Sequence, residues 1–423
     1  MVEYYKKAAI LMGIGTFSDA ADYAVVLMTM PLLIPAFKLT GYEVTWIVSI
    51  PWAVTLIASI IMGPFADRYG RKPCFIIGNL VAGISYLSAI FATHWIHFVI
   101  ARSIAMATIP LTKALTVAIL SESAPPEKRQ TWISISGFIE DAGLTTFSVL
   151  LALSGVFPWI SWQLMVTYLC ILDIIVSIAG IFILKESEVW LERKKLIKEG
   201  KIPKEEVKTS WRSLFSSEVR TKYILAWLLT MVYAPVGLMA ASGGYATYFQ
   251  TVFLKWSPSL IGILGILSSV IRACIRGSFG PLADKIGRLN TMIVITLPAM
   301  ICSILAWHTP VIIGVGMTLP VILFYFFNSQ IGAFTGSPME DVPRTFLAES
   351  VPTLARGTAG ASVDVLRGLM NFIASTSVGL LALIIPPWTA YSLPPIIGGI
   401  LGLALAFTAK KKGFETKGKI LKE

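Results

Sequence analysis

GPFADRYGRKP, residues 63–73, places Asp67, Arg68, Arg71 and Lys72 between two long apolar runs, with Gly63, Pro64 and Gly70 around them. The 423-residue chain is 55% hydrophobic and only 14% charged, with a mean hydropathy of +0.74. Soluble proteins carry roughly a quarter charged residues, so a knot of charge here needs a reason. Repetition supplies it. GPLADKIGRLN at 280–290 returns Gly63, Pro64, Ala66, Asp67, Gly70 and Arg71, in the same register, as Gly280, Pro281, Ala283, Asp284, Gly287 and Arg288. ESAPPEKR at 122–129 returns as ESVPTLAR at 349–356, pairing Glu122 with Glu349 and Arg129 with Arg356. Two motif pairs in the same order at near-equal offsets mark an internal duplication.

Apolar runs long enough to cross a hydrocarbon core of about 30 Å recur from end to end. They predict spans near 8–36, 44–63, 75–93, 96–121, 131–153, 162–184, 223–254, 258–279, 291–307, 311–349, 357–384 and 388–408. The expected fold is an all-α integral membrane protein of the cell membrane, multi-pass, with twelve transmembrane helices in two pseudo-symmetric six-helix bundles. The bundles are 1–184 and 223–423, the second with a short basic tail, and 185–222 is the linker. Outside the spans every Lys and Arg but Lys38 and Lys255 falls on the side of both termini. That asymmetry makes the termini and the linker cytoplasmic. It also explains the net charge of +11 by topology and anionic lipid, with no nucleic-acid partner. The length of the first span, and Asp19 and Asp22 within it, exclude a cleavable signal peptide. Cys74, Cys170, Cys274 and Cys302 lack metal spacing and read as packed thiols. His94, His97 and His308 lie near outer helix ends, so no metal site is expected.

The doubled loop signature resembles that of the major facilitator superfamily of secondary transporters, and the likeness covers the whole chain. The resemblance implies a cytoplasmic gate of Gly63, Asp67, Arg71, Glu122 and Arg129, mirrored by Gly280, Asp284, Arg288, Glu349 and Arg356. Glycines there permit a tight turn. The spacing from Arg102 to Glu122 is similar to that of the branch shared by sugar porters and organic-acid:proton symporters. KESEVWL at 185–191 resembles the E-S-P-x-W-L of the same branch. FSDAADY, with Asp19 and Asp22, resembles the D-G-x-D of aromatic-acid symporters, with Ala20 in place of the glycine. Parallel repeats of this kind place substrate near the midplane between the halves.

An ionisable residue at mid-bilayer costs several kcal/mol and marks a pathway by default. Asp19 and Asp22 fall near the middle of the first span, about 60° apart around it. Two nearby carboxylates suppress each other's ionisation, which suits a reversible proton carrier. With Glu140 they form the expected proton-coupling set, and Arg102 competes with the proton for an aspartate. Arg102 and Lys113 share a stripe, about 20° apart on the fourth span. Under the offset that relates Glu122 to Glu349, Glu140 corresponds to Arg367. Asp173 reads as structural, and Asp364 and Arg367 as able to neutralise each other.

Arg102, Lys113, Arg272 and Arg367, with Tyr245, Asn328, Gln330 and Asn371, are the expected substrate contacts. So many cations suit a carboxylate, which Arg holds bidentately. The sugar-porter motifs Q-Q-x-S-G-x-N and G-P-x-x-W are absent. The expectation is therefore a proton-coupled symporter importing a monocarboxylate or aromatic acid by alternating access. A sugar or polyol symporter is the alternative, and an efflux antiporter of drugs or metabolites the third. The chain has no phosphate loop, metal cluster or nucleophile–base pair, so no enzyme is expected. No cofactor is expected beyond the coupling proton, and the partners are a small substrate and the lipid bilayer around a monomer.

Overall fold

The computed structural model describes residues 2–123, 129–186, 191, 195–196, 199, 220–233, 241–335, 341–350 and 356–416. Among them the structure is helical, with no strand. The first half is α1 Val2–Phe37, α2 Gly41–Tyr69, α3 Arg71–Ala89, α4 Trp95–Ser123, α5 Arg129–Ser154 and α6 Trp162–Ile183. The second is α7 Arg220–Tyr233, α8 Ala246–Val252, α9 Pro258–Ile286, α10 Arg288–Trp307, α11 Thr309–Ile312, α12 Leu319–Gly332, α13 Asp341–Ser350, α14 Arg356–Leu381 and α15 Pro387–Lys411.

α6 shows why such sequences belong in lipid. It exposes Ile171, Ile175, Ile178 and Phe182, at helical spacing, and buries Cys170, Asp173, Ser177 and Gly180. Its exposed side chains are all apolar, while Asp173 and Ser177 are buried among Met165, Leu169 and Val176, the reverse of a helix in water. Among the described residues six helical segments are long and apolar enough to span a membrane: Lys6–Phe37, Gly41–Met62, Trp95–Thr112, α6, α10 and α15. Thr145–Ser154, Pro258–Arg272, Leu319–Gly332 and Val365–Leu381 are shorter apolar helical stretches.

Two expected spans are divided. In 223–254, a 3₁₀ turn, Ala241–Tyr245, interrupts the α-helical course and leads into α8. The turn's ASGGY sequence is poor in helix formers. In 311–349, Gly314 and Gly316 hold φ of 111° and 110° between α11 and α12. A second 3₁₀ turn, Ala333–Thr335, follows α12.

The backbone repeats as the sequence does. Gly70 and its counterpart Gly287 take φ of 105° and 103° at the heads of α3 and α10, a conformation that favours glycine. Lys38 and Lys255, related by the same offset, take φ of 52° and 61°.

The chain forms two compact units. One contains α1, α2 from Ile50, α3 to α6, and α9 up to Ile266; the other contains α2 up to Ser49, α7, α8, α9 from Leu267, and α10 to α15. Each unit has its own apolar core. Met12, Phe75, Leu111, Ile119 and Val176 form one in the first, and Tyr223, Leu229, Phe279, Leu289 and Phe346 one in the second.

Candidate functional site

Four helices of the first unit converge on a buried acidic cluster. α1 brings Ser18, Asp19 and Asp22, α3 brings Tyr86, α4 brings Arg102 and Thr112, and α6 brings Asp173. Relative exposure is 4% for Asp19, 2% for Asp22, 2% for Asp173 and 3% for Arg102. Three carboxyls and one guanidinium therefore share the interior, where an unbalanced charge is costly.

The neighbours of each are specific. Thr112 Oγ1 lies 2.7 Å from both oxygens of Asp19 and 3.0 Å from the Ile109 carbonyl, so its single proton has three acceptors in reach. Ser18 Oγ donates to Asp173 Oδ1. The Tyr86 hydroxyl is turned toward Asp22 without closing a well-formed hydrogen bond, and Arg102 acts on Asp22 electrostatically. Asp22 Oδ1 and Asp173 Oδ2 have no hydrogen-bond partner among the described residues. Close packing sets the helices around them. A Cβ on Gly83 would sit 3.2 Å from Asp173 Cβ and 3.1 Å from the Cys170 carbonyl. One on Gly143 of α5 would collide with the Phe17 carbonyl, beside Ser18.

The second unit offers hydroxyls, amides and guanidinium groups. α14 buries Arg367, Asn371 and Ser375 one turn apart. Asn371 Nδ2 bonds the Arg367 carbonyl at 2.7 Å, and the Tyr245 hydroxyl reaches the Ser375 carbonyl at 2.5 Å. Tyr245 stacks on Tyr391 with ring centres 5.1 Å apart. Gln330 Nε2 bonds Ser268 Oγ at 2.8 Å, and Arg272 Nη2 lies 3.5 Å from Ser269 Oγ. Asn328 turns its amide nitrogen to the Phe324 carbonyl of its own helix, 2.8 Å away.

At the charged turns, the heads of α3 and α10 are each capped by a glutamate. Glu186 Oε1 accepts from the Arg71 amide at 3.0 Å, and Glu186 Oε2 from the Lys72 amide at 3.3 Å. Glu415 accepts from the amides of Arg288 and Leu289 at 2.9 and 3.0 Å. A carboxylate there satisfies open N–H groups and meets the positive end of the helix dipole. Lys113, Glu140, Asp67, Glu122, Arg129, Asp284, Glu349 and Arg356, and the surroundings of Gly63 and Gly280, lie outside the described residues and side chains.

Sequence reasoning assigned no role to Ser18, Tyr86, Thr112, Glu186 or Glu415, and gave Asp173 only a structural one. Glu186 and Glu415 carry a signal that was available. Their separation is close to that of Glu122 and Glu349, in phase with the duplication. Ser18, Tyr86 and Thr112 carry none, since a lone hydroxyl in an apolar helix looks the same whatever it faces.

A bundle whose buried charges converge inside helices faced with apolar side chains is a multi-pass membrane protein of the transporter type. The chain matches the model of the Major Facilitator Superfamily over residues 12–375 and belongs to that family. Among curated relatives it is 24% identical over 389 residues to the cis,cis-muconate transport protein of Acinetobacter baylyi, covering 89% of this chain and 88% of that one. It is 22% identical over 410 residues to the D-xylose transporter of Levilactobacillus brevis, covering 91% and 87%. The crystal structure of a D-xylose-proton symporter superposes with a TM-score of 0.76 at 20% identity, covering 99% of this chain and all of that one.

Proposed function

We propose that the protein is a proton-coupled symporter that imports a small organic anion, a monocarboxylate or aromatic acid, by alternating access. The observation that carries the proton is the burial of Asp19, Asp22 and Asp173 around one guanidinium, Arg102, among the described residues. Three ionised carboxylates would leave excess negative charge in a medium that screens it poorly. Bound protons neutralise that excess, and Arg102 takes their place beside Asp22 when they leave. Glu140 belongs to the same proposed set. The cycle requires no cofactor, and a monomer suffices for it.

An anionic cargo is supported by Arg367, buried in a row with Asn371 and Ser375 beside Tyr245. A guanidinium at such depth is costly to bury and offers a carboxylate two parallel hydrogen bonds. Lys113, Arg272, Asn328 and Gln330 complete the proposed contacts. The muconate relative supports a carboxylate, whereas the xylose relatives support a sugar or polyol as the second reading.

Proteoliposomes enclosing a pH-sensitive dye test both. Monocarboxylates, aromatic acids, cis,cis-muconate, sugars and polyols are added outside in turn, with protein-free liposomes correcting for passive leak of acid. Protein-dependent acidification by acids and by no sugar is the expected result. Acidification by a sugar alone assigns the second reading. Counterflow without acidification removes the proton from the mechanism.

A further inference from the structure

The beginning of α1 is tied to the residues that follow α6. The Tyr4 hydroxyl donates to the Lys185 carbonyl at 3.2 Å and accepts from the Lys185 amide at 3.0 Å. Lys185 Nζ stands 5.5 Å from the centre of the Tyr4 ring. One hydroxyl thus uses both its donor and its acceptor capacity on a single backbone residue.

The next residue is Glu186, which caps α3 through the amides of Arg71 and Lys72. Lys72 answers in the other direction, donating from Nζ to the Ile181 carbonyl in the last turn of α6 at 2.8 Å. Three helix ends therefore meet at one place: the start of α1, the head of α3 and the tail of α6. Leu184 has already left the helix, with ψ of 141°, so no helical hydrogen bonds hold Lys185 and Glu186. The tyrosine hydroxyl holds their backbone instead. Burial raises the Tyr4 hydroxyl above its ordinary value of 10, against the opposing pull of its Lys185 bond and with a smaller push from the charge of Glu186. It therefore stays a neutral donor at any physiological pH.

We propose that Tyr4 is a positioning residue for the charged turn at 63–73. By fixing the backbone of Lys185 it aims Glu186 at the head of α3, and so makes the N-terminal segment part of the turn's architecture. The carboxylate clamp itself is general, since Glu415 repeats it on α10. The Tyr4 tie belongs to the first unit, and it holds whatever the protein carries.

Hydrogen exchange of the full chain in lipid nanodiscs, resolved at the amides of residues 71 and 72, is the test. Tyr4→Phe keeps the ring and loses both hydrogen bonds. It should speed exchange at those two amides about tenfold, the loss of a charge-assisted hydrogen bond of moderate strength. Amides in the middle of α1 and α3 should keep their rates. Glu186→Gln should have at least as large an effect, and the double variant should exchange no faster than Glu186→Gln alone. Lys185→Met removes the cation over the ring but keeps the backbone bonds, and should exchange as the parent does. Parental rates at 71 and 72 in Tyr4→Phe would overturn the proposal, as would full additivity with Glu186→Gln. Faster exchange spread through α1 and α3 would overturn it too, because Tyr4 would then hold the fold and not aim a carboxylate.

Discussion

Ser18 on α1 gives its hydroxyl hydrogen to Asp173 on α6, and the other oxygen of Asp173 has no hydrogen-bond partner among the described residues. The bond joins the helix that bears Asp19 and Asp22 to a third acid that sequence reading left as structural. Asp173→Asn keeps an oxygen for Ser18 and removes a titratable group, so the protein should fold with a melting temperature within about 2 °C of the parent. Proton-driven accumulation should fall at least about tenfold, and in Asp22→Asn it should vanish while counterflow persists within about threefold. Parental accumulation in both variants would remove the acidic cluster from energy coupling. Asp173→Leu is expected to behave differently. It strands the Ser18 hydroxyl in the interior, at a cost of about 1–3 kcal/mol, and should lower thermal stability.

Gly262 on α9 and Gly379 on α14 mark two crossings that the duplication relates. An added Cβ at Gly262 would collide with the Ala152 amide of α5, and one at Gly379 with Thr45 of α2 and the Tyr245 hydroxyl. Thr45 and Gly262 are related by the offset that links Gly63 to Gly280, and Ala152 and Gly379 by the one that links Glu122 to Glu349. Each crossing keeps one glycine, on opposite partners. At Gly262 the obstacle is backbone, which yields only if α5 and α9 move apart. Gly262→Val should therefore destabilise by about 2–4 kcal/mol, in the range of overpacked cores and above. In a thermal melt that is roughly 2–5 °C for a chain of this length. Gly243 is the control, because nothing lies within 4 Å of a Cβ built there. Gly243→Ala should melt within about 1 °C of the parent. Equal melting of the Gly262 and Gly243 variants would contradict the crossing.

Much of this was legible in the sequence because duplication is a long-range signal that needs no contact to be seen. The repeat links Gly63 to Gly280 in the alphabet, and the structure gives Gly70 and Gly287 nearly the same φ. Asp19, Asp22 and Arg102 stood out because charge in an apolar run is rare, and all three are buried together. Contacts that depend on which way a helix is turned did not show. Nothing in the run around Tyr86 says that it faces Asp22, and the break at Ala241 is hidden by apolar residues on both sides, whereas the length of 311–349 and its Pro320, Pro338 and Pro343 already signal an interruption there. The close approach of Gly262 to Ala152 was equally silent, since small residues are common in apolar helices.

Glu415 caps α10 through two amides, and the Lys410 ammonium bonds Asn290 Oδ1 at 2.8 Å beside it. Glu415→Gln keeps the acceptor and loses the charge, and should cost about 0.5–1 kcal/mol through the helix dipole. Glu415→Ala leaves the amides open and should cost more, about 1–3 kcal/mol. A Cβ at Gly287 would come within 2.8 Å of Glu415 Oε2 while forcing an L residue to φ of 103°. Gly287→Ala should thus be the most damaging of the three. Their order in thermal melts is the measurement, and a Gly287→Ala protein as stable as Glu415→Gln would contradict this turn geometry.

Arg367 distinguishes the two cargo readings. It is 7% exposed, in line on α14 with Asn371 and Ser375, and the Tyr245 hydroxyl reaches the same row. If the cargo is a carboxylate, Arg367→Lys keeps the charge but replaces a planar fork with a point donor. KM for the transported acid should then rise about tenfold, and about a hundredfold in Arg367→Gln, where the charge is lost as well, with Asp22-dependent proton movement intact. If the cargo is a sugar, Arg367→Lys should leave KM within about twofold while lowering stability through lost packing. Uptake measured over a range of substrate concentrations separates the two, because a binding role moves KM at constant stability and a structural role moves stability at constant KM.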